Sequence, residues 1–200
     1  MSTQTNSEKI RQITFMGMMS ALILVLQQLA VLTRSLFPFF SITLVLVPIV
    51  LGSAISGKIW GGAWLGGVFG VAVFLSGDAN GFLAIHQSGT IITVMAKGIL
   101  CGVAAALVYR LMSKKSRTLG VFSAAIVCPV VNTGVFLLGC LLFFYNTVGA
   151  GAAAEGTSWF NHFITGYVGV NFIVELAINI VLAPVILQLI SIAGKNKRNI

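Results

Sequence analysis

The sequence predicts an all-α integral membrane protein, a bundle of six transmembrane helices forming one domain over residues 1–200. Three observations carry that reading. The chain is 58% hydrophobic and only 8% charged, with a mean hydropathy of +1.02; a water-facing surface needs far more polar residues. Its apolar residues fall into runs near the length that crosses a bilayer, about 20 residues each. Its basic residues gather in short connections and at the chain ends, where membrane orientation places them. A net charge of +8 could suggest nucleic acid, but no single basic patch exists, so nucleic acid is not expected as a partner.

The first span covers 13–33, preceded by a polar segment without the features of a cleavable signal peptide. Phe37-Pro38-Phe39-Phe40 breaks the pattern before a second span at 41–56. Gly57-Lys58 turns the chain into a third span, 59–75. A polar connection from Ser76 to Gln87 reads as a long loop and leads to the fourth span, 88–112. The basic turn Ser113-Lys114-Lys115-Ser116-Arg117 precedes the fifth span, 119–145. A Gly/Ala loop from Gly149 to Gly156 precedes the sixth, 160–192. The second and third spans are short and rich in glycine. With six spans both termini share one side, which collects Lys9, Arg11, Lys58, Arg110, Lys114, Lys115, Arg117, Lys195, Lys197 and Arg198. The other side holds Arg34, Asp78 and Glu155. This asymmetry predicts a multi-pass cell-membrane protein with both termini cytoplasmic. The two long loops then face outward, where lids and binding elements concentrate.

Lys97 and Glu175 are the two ionisable side chains well inside apolar spans. A charge in hydrocarbon is costly and is commonly kept for a substrate, an ion path or an internal partner. Lys97 lies about 13 Å along its helix at 1.5 Å per residue. Asn171, Glu175 and Asn179 recur at every fourth residue and share one helix face. Asn132 follows Pro129 by three residues in the fifth span. Together these residues predict a polar solute site: Lys97 for an anion or carbonyl, Glu175 for a hydroxyl or amide donor, and the asparagines for either. The plainer alternative is a Lys97–Glu175 ion pair that holds the bundle together. From the loop above, Asn80, His86 and Gln87 are candidates to touch the solute. Trp159, Phe160, Asn161 and His162 read as an interface anchor.

Small residues at spacing four allow close helix packing: Gly62, Gly66 and Gly70, Gly98 and Gly102, and Gly17 with Ala21. The first two sets read as packing inside the chain, and Gly17 and Ala21 as a possible face for a partner subunit. Cys101, Cys128 and Cys140 have no zinc or CxxC spacing and read as free apolar side chains. No metal or cofactor is expected. Gly52-Ser53-Ala54-Ile55-Ser56-Gly57-Lys58-Ile59 nearly matches a P-loop, but Ile59 stands where a hydroxyl must meet the metal ion and no strand precedes it. The chain is not expected to be an enzyme, and hydrolyses no ATP itself.

The whole chain resembles the substrate-binding S components of energy-coupling-factor (ECF) vitamin transporters. The marks are the stretch from Thr43 to Gly52, Gly66-Gly67-Val68-Phe69-Gly70, Ala96-Lys97-Gly98, Pro129-Val130-Val131-Asn132-Thr133 and Asn171-Phe172-Ile173-Val174-Glu175, in that order. The resemblance implies an S-component-like bundle that binds a vitamin near the outer face. It implies association with a transmembrane coupling protein and two cytoplasmic ATPases, and reorientation in the membrane to carry the solute inward. It also implies docking through the small face of the first helix, here Gly17-x-x-x-Ala21 where many members have Ala-x-x-x-Ala. Among members the chain is most similar to the pantothenate type. An anionic end near Lys97 and hydroxyl and amide groups on Asn132, Asn171 and Glu175 would suit that ligand, although Glu175 repels a carboxylate placed beside it. Hydroxymethylpyrimidine or pyridoxine avoids that conflict; riboflavin or folate would want more aromatic surface. A self-contained ion-coupled carrier, with Lys97 and Glu175 as a proton-coupled pair, is the reading from a different class. It usually brings inverted repeats and broken helices, which are not evident.

Overall fold

Long apolar runs with few breakers leave the backbone one economical solution in lipid, the internally hydrogen-bonded helix. A computed structural model shows this arrangement and describes residues 6–36, 44–164 and 169–195. Its helices are α1 (Asn6–Leu36), α2 (Leu46–Ser56), α3 (Ile59–Leu75), α4 (Asn80–Ile85), α5 (Gln87–Met112), α6 (Arg117–Phe143), α7 (Tyr145–Ala154), α8 (Trp159–Phe163) and α9 (Gly169–Lys195). The Phe37–Phe40 break, the start of the second expected span and the basic tail beyond Lys195 lie outside the described residues.

Among the described residues four helices, α1, α5, α6 and α9, are long and apolar enough to cross a membrane. The other two expected spans are shorter: α2 has 11 residues and α3 has 17. At 1.5 Å per residue these reach about 16 and 25 Å, against a hydrocarbon core of about 30 Å. Length does not make α2 peripheral. It touches α1, α3, α5, α6 and α9, and Leu46, Ile49 and Val50 have no exposed surface. A helix that is apolar all round belongs in such a central position. The long helices turn leucine, isoleucine and valine outward, as Leu29 and Leu32 do on α1 and Leu138 and Leu142 on α6.

The α3–α5 seam is the tightest contact that glycine spacing anticipates. A Cβ on Gly62 would strike the Gly102 backbone, and one on Gly66 would strike that of Gly98. At the far end of the seam, a Cβ on Gly70 would come within 2.8 Å of Met95 Sδ. The helices therefore run antiparallel, backbone against backbone, and the seam holds Phe69 of α3 beside Lys97 of α5. Gly57 closes α2 with φ +63°, and its N–H bonds to the Ser53 carbonyl. The glycine that mimics a P-loop position is thus a helix cap.

Two expected loops contain helices. The 76–87 connection holds α4, whose Phe82 packs edge-on against Phe136 (5.6 Å) and Phe144 (5.1 Å). The glycine- and alanine-rich segment is α7, seated by buried Val148 and Ala152. Alanine is the best helix former, and a buried face supplies what the glycines lack. At the end of the fifth span the helix stops at Phe143, two residues before the expected limit. In the sixth, Trp159–Phe163 and Gly169–Lys195 are separate described helices. Residues 165–168 lie outside the description. Cys101, Cys128 and Cys140 are free and buried.

Candidate functional site

A cavity of about 320 Å³ opens at the end of the bundle where α1 ends and α5 begins. Helix periodicity explains its walls. On α1, Gln27, Ala30 and Arg34 share a face at spacings of three and four; on α5, Thr90, Thr93 and Lys97 do the same. From α6 come Asn132 and Phe136, from α9 Asn171 and Glu175, and from α3 Phe69. Phe82 of α4 and Phe144 add apolar surface beneath the mouth.

The charges form two unlike groups. At the mouth Arg34 pairs with Asp78 across a gap of 44 residues in sequence. Gln27, buried on the same face of α1, donates to Asp78 Oδ2 at 3.2 Å and to Ser76 Oγ at 3.3 Å. The end of α1 is thereby tied to the turn that follows α3. Deeper in the cavity, Lys97 Nζ lies over the rings of Phe69 (5.5 Å) and Phe136 (5.4 Å). Two aromatic faces offer a cation partial compensation where water is scarce. Among the described residues Lys97 forms no ion pair, with Glu175 or any other carboxylate. Glu175 is 8% exposed and Asn132 7%. The Asn132 amide N–H₂ faces the Glu175 carboxylate, and its Oδ1 is buried with no partner among the described residues.

Of the residues singled out from the sequence, Lys97, Asn132, Asn171 and Glu175 meet around this cavity. Asn179 does not reach the wall. It has no exposed surface, and its Nδ2 donates to the Glu175 carbonyl at 2.8 Å, one turn back. Nor do the three residues singled out from the 76–87 connection line it. His86 caps α5, with Nδ1 accepting from the Gly89 N–H at 2.9 Å, and its ring lies 5.7 Å from that of Phe143. Gln87 and Asn80 are exposed. Trp159 stacks on Tyr145 at 5.6 Å and donates to its carbonyl, while His162 contacts Glu155 at 2.7 Å.

Sequence reasoning missed Gln27, Thr90 and Thr93, and counted Arg34 and Asp78 only as loop charges. One signal was available: Gln27 and Arg34 lie seven residues apart, two turns along one helix face.

A second depression lies at the opposite end, between α1 and α3. Gly17, Met16, Trp60 and Trp64 line it, with Lys9 and Lys58 at its edge. Gly17 and Ala21 are both exposed, and a Cβ on Gly17 would meet nothing within 4 Å. No packing inside the described chain uses this small face.

Comparison with known families gives one result. The family described as "ECF transporter, substrate-specific component" matches residues 11–187, a stretch that contains every lining residue from Gln27 to Glu175. No curated protein and no solved structure matches the chain. The chain therefore belongs to the ECF transporter substrate-specific component family, and is a multi-pass membrane subunit for transport rather than an enzyme.

Proposed function

We propose that this subunit captures pantothenate in the cavity bounded by Lys97, Asn132, Asn171 and Glu175, and delivers it through an ECF module of a coupling protein and two cytoplasmic ATPases. The observation that carries the reading is the convergence of a cation, a carboxylate and two amides, drawn from three helices, on one cavity of about 320 Å³ in a member of this family. A space of that order suits a small vitamin that buries most of its surface. Pantothenate is small, flexible and hydroxylated, and carries one amide and one carboxylate, so it offers both donors and acceptors to these four side chains. Hydroxymethylpyrimidine and pyridoxine are the next candidates, because they need no anion site.

In this reading residues 1–200 form one membrane domain of six spans, with both termini cytoplasmic and the cavity mouth outside. The basic residues on the terminal side support it. The exposed Gly17–Ala21 face, with the apolar depression beside it, serves the coupling protein. Close approach of a partner helix needs small residues of this kind.

Uptake in liposomes separates this from a self-contained carrier. The subunit alone, under a pH gradient, is expected to accumulate no pantothenate, and the complete ATP-supplied module to accumulate it. Accumulation by the subunit alone would overturn the proposal.

A further inference from the structure

We infer that the cavity imposes a polarity on its ligand: a carboxylate at the mouth on Arg34, and neutral hydroxyl and amide groups at the inner wall beside Lys97, Asn132 and Glu175. The inference rests on the capture reading above and adds a specificity residue, Arg34, which the composition of the spans does not reveal.

The two charged groups differ in how well their carboxylates are satisfied. Asp78 receives Arg34 on Oδ1 and Gln27 on Oδ2, so its charge is shared between two donors. Arg34 reaches Asp78 through Nη1, and a guanidinium has five N–H donors in a planar fork. Its side chain is 47% exposed, so an anion entering the mouth meets donors not engaged by Asp78. Asp78 and Gln27 thus act as positioning residues that aim the fork. Forked contact with a carboxylate is the strongest kind of charged hydrogen bond a side chain offers.

The inner wall is the reverse. Glu175 has the Asn132 amide beside it and no ion pair among the described residues. Behind it the Asn132 Oδ1 is buried and has no partner among the described residues. The Glu175 carboxyl dominates this wall, calls for ligand donors and, when ionised, repels a second carboxylate. Lys97, held between two rings, keeps N–H donors for a carbonyl. The expectation that Lys97 takes the anionic end is therefore replaced: the anion goes to the cation farther from Glu175, and Lys97 reads a neutral acceptor.

Calorimetric titration of the purified full chain in detergent tests this. The probes are small hydroxylated carboxylates, pantothenate among them, each paired with its neutral alcohol or amide analogue such as panthenol. The wild type is expected to prefer the carboxylate by about tenfold or more, the worth of one charged hydrogen bond. Arg34→Gln should remove most of that preference, Arg34→Lys should retain part of it, and Lys97→Met should weaken both members of a pair alike. A preference that survives Arg34→Gln, or that Lys97→Met alone abolishes, overturns the inference. If a carboxylate other than pantothenate binds and follows this pattern, the polarity stands and pantothenate falls. If only neutral or cationic vitamins bind, the polarity falls and capture stands. If no probe of any kind binds, both fall.

Discussion

Gly66 and Gly67 are neighbours on α3 with opposite surroundings, and alanine at each should have opposite effects. A Cβ on Gly67 meets nothing nearer than Ile99 Cγ1 at 3.9 Å, an ordinary contact. A Cβ on Gly66 strikes the Gly98 carbonyl oxygen, lies 2.7 Å from its carbon and 3.0 Å from Ile99 Cα. These are backbone atoms of a packed helix and cannot rotate aside. Relief requires α3 and α5 to part until 2.7 Å becomes at least the 3.4 Å of ordinary contact. Alanine gains about 1 kcal/mol over glycine in a helix interior, and this gain is common to both sites. Overpacking costs about 1–3 kcal/mol, and collision with backbone belongs at the upper end. Gly67→Ala should therefore be neutral or up to about 1 kcal/mol more stable, and Gly66→Ala about 2 kcal/mol less stable. Parting the helices also moves Phe69 from Lys97, so Gly66→Ala should lose ligand affinity and Gly67→Ala should not. Thermal unfolding in detergent, with and without ligand, reads both effects. Equal stability of the two variants would refute the close α3–α5 seam.

Lys97→Met keeps an unbranched stem between Phe69 and Phe136 while removing the charge. Ligand affinity should fall by about 1.5–3 kcal/mol, the range for a hydrogen bond to a charged group, with the fold intact; unchanged affinity in calorimetry would remove Lys97 from the site. Asn179→Ala should lower thermal stability by about 1 kcal/mol through loss of its bond to the Glu175 carbonyl. Ligand affinity should stay close to that of the wild type, and a selective loss of binding would place Asn179 in the site after all. Ala21→Leu should block assembly with the coupling protein while sparing ligand binding, because the side chain is exposed and takes no part in the cavity wall. Co-purification of the intact module with that variant would exclude the first helix as the docking face.

The helices were legible because a bilayer leaves few alternatives: apolar runs of adequate length must hydrogen-bond internally. That the glycine faces of the third and fourth spans pack inside the chain was legible too, from glycines at spacing four; that they pack against each other is a property of the fold. What failed was the reading of polar or glycine-rich connections as loops. Helix α4 is anchored by Phe82 against Phe136 and Phe144, residues more than 50 positions away, and local composition carries no trace of that contact. The polar site divided along the same line. Lys97, Asn132, Asn171 and Glu175 announce themselves as ionisable or amide groups in apolar runs. Thr90 and Thr93 do not, because threonine is ordinary in a span, and only the fold brings Phe69 and Phe136 under Lys97. Arg34 and Asp78 were visible individually, but their pairing is a property of the fold.

The central claim is that this chain binds a small vitamin by itself, before any ATPase takes part. The most direct test is to purify it alone in detergent, identify any small molecule that accompanies it by mass spectrometry, and titrate the emptied protein with pantothenate. The account predicts saturable binding of one pantothenate per chain, lost when the cavity residues are changed. A purified, folded chain that carries no small molecule and binds neither pantothenate nor any other vitamin would contradict it.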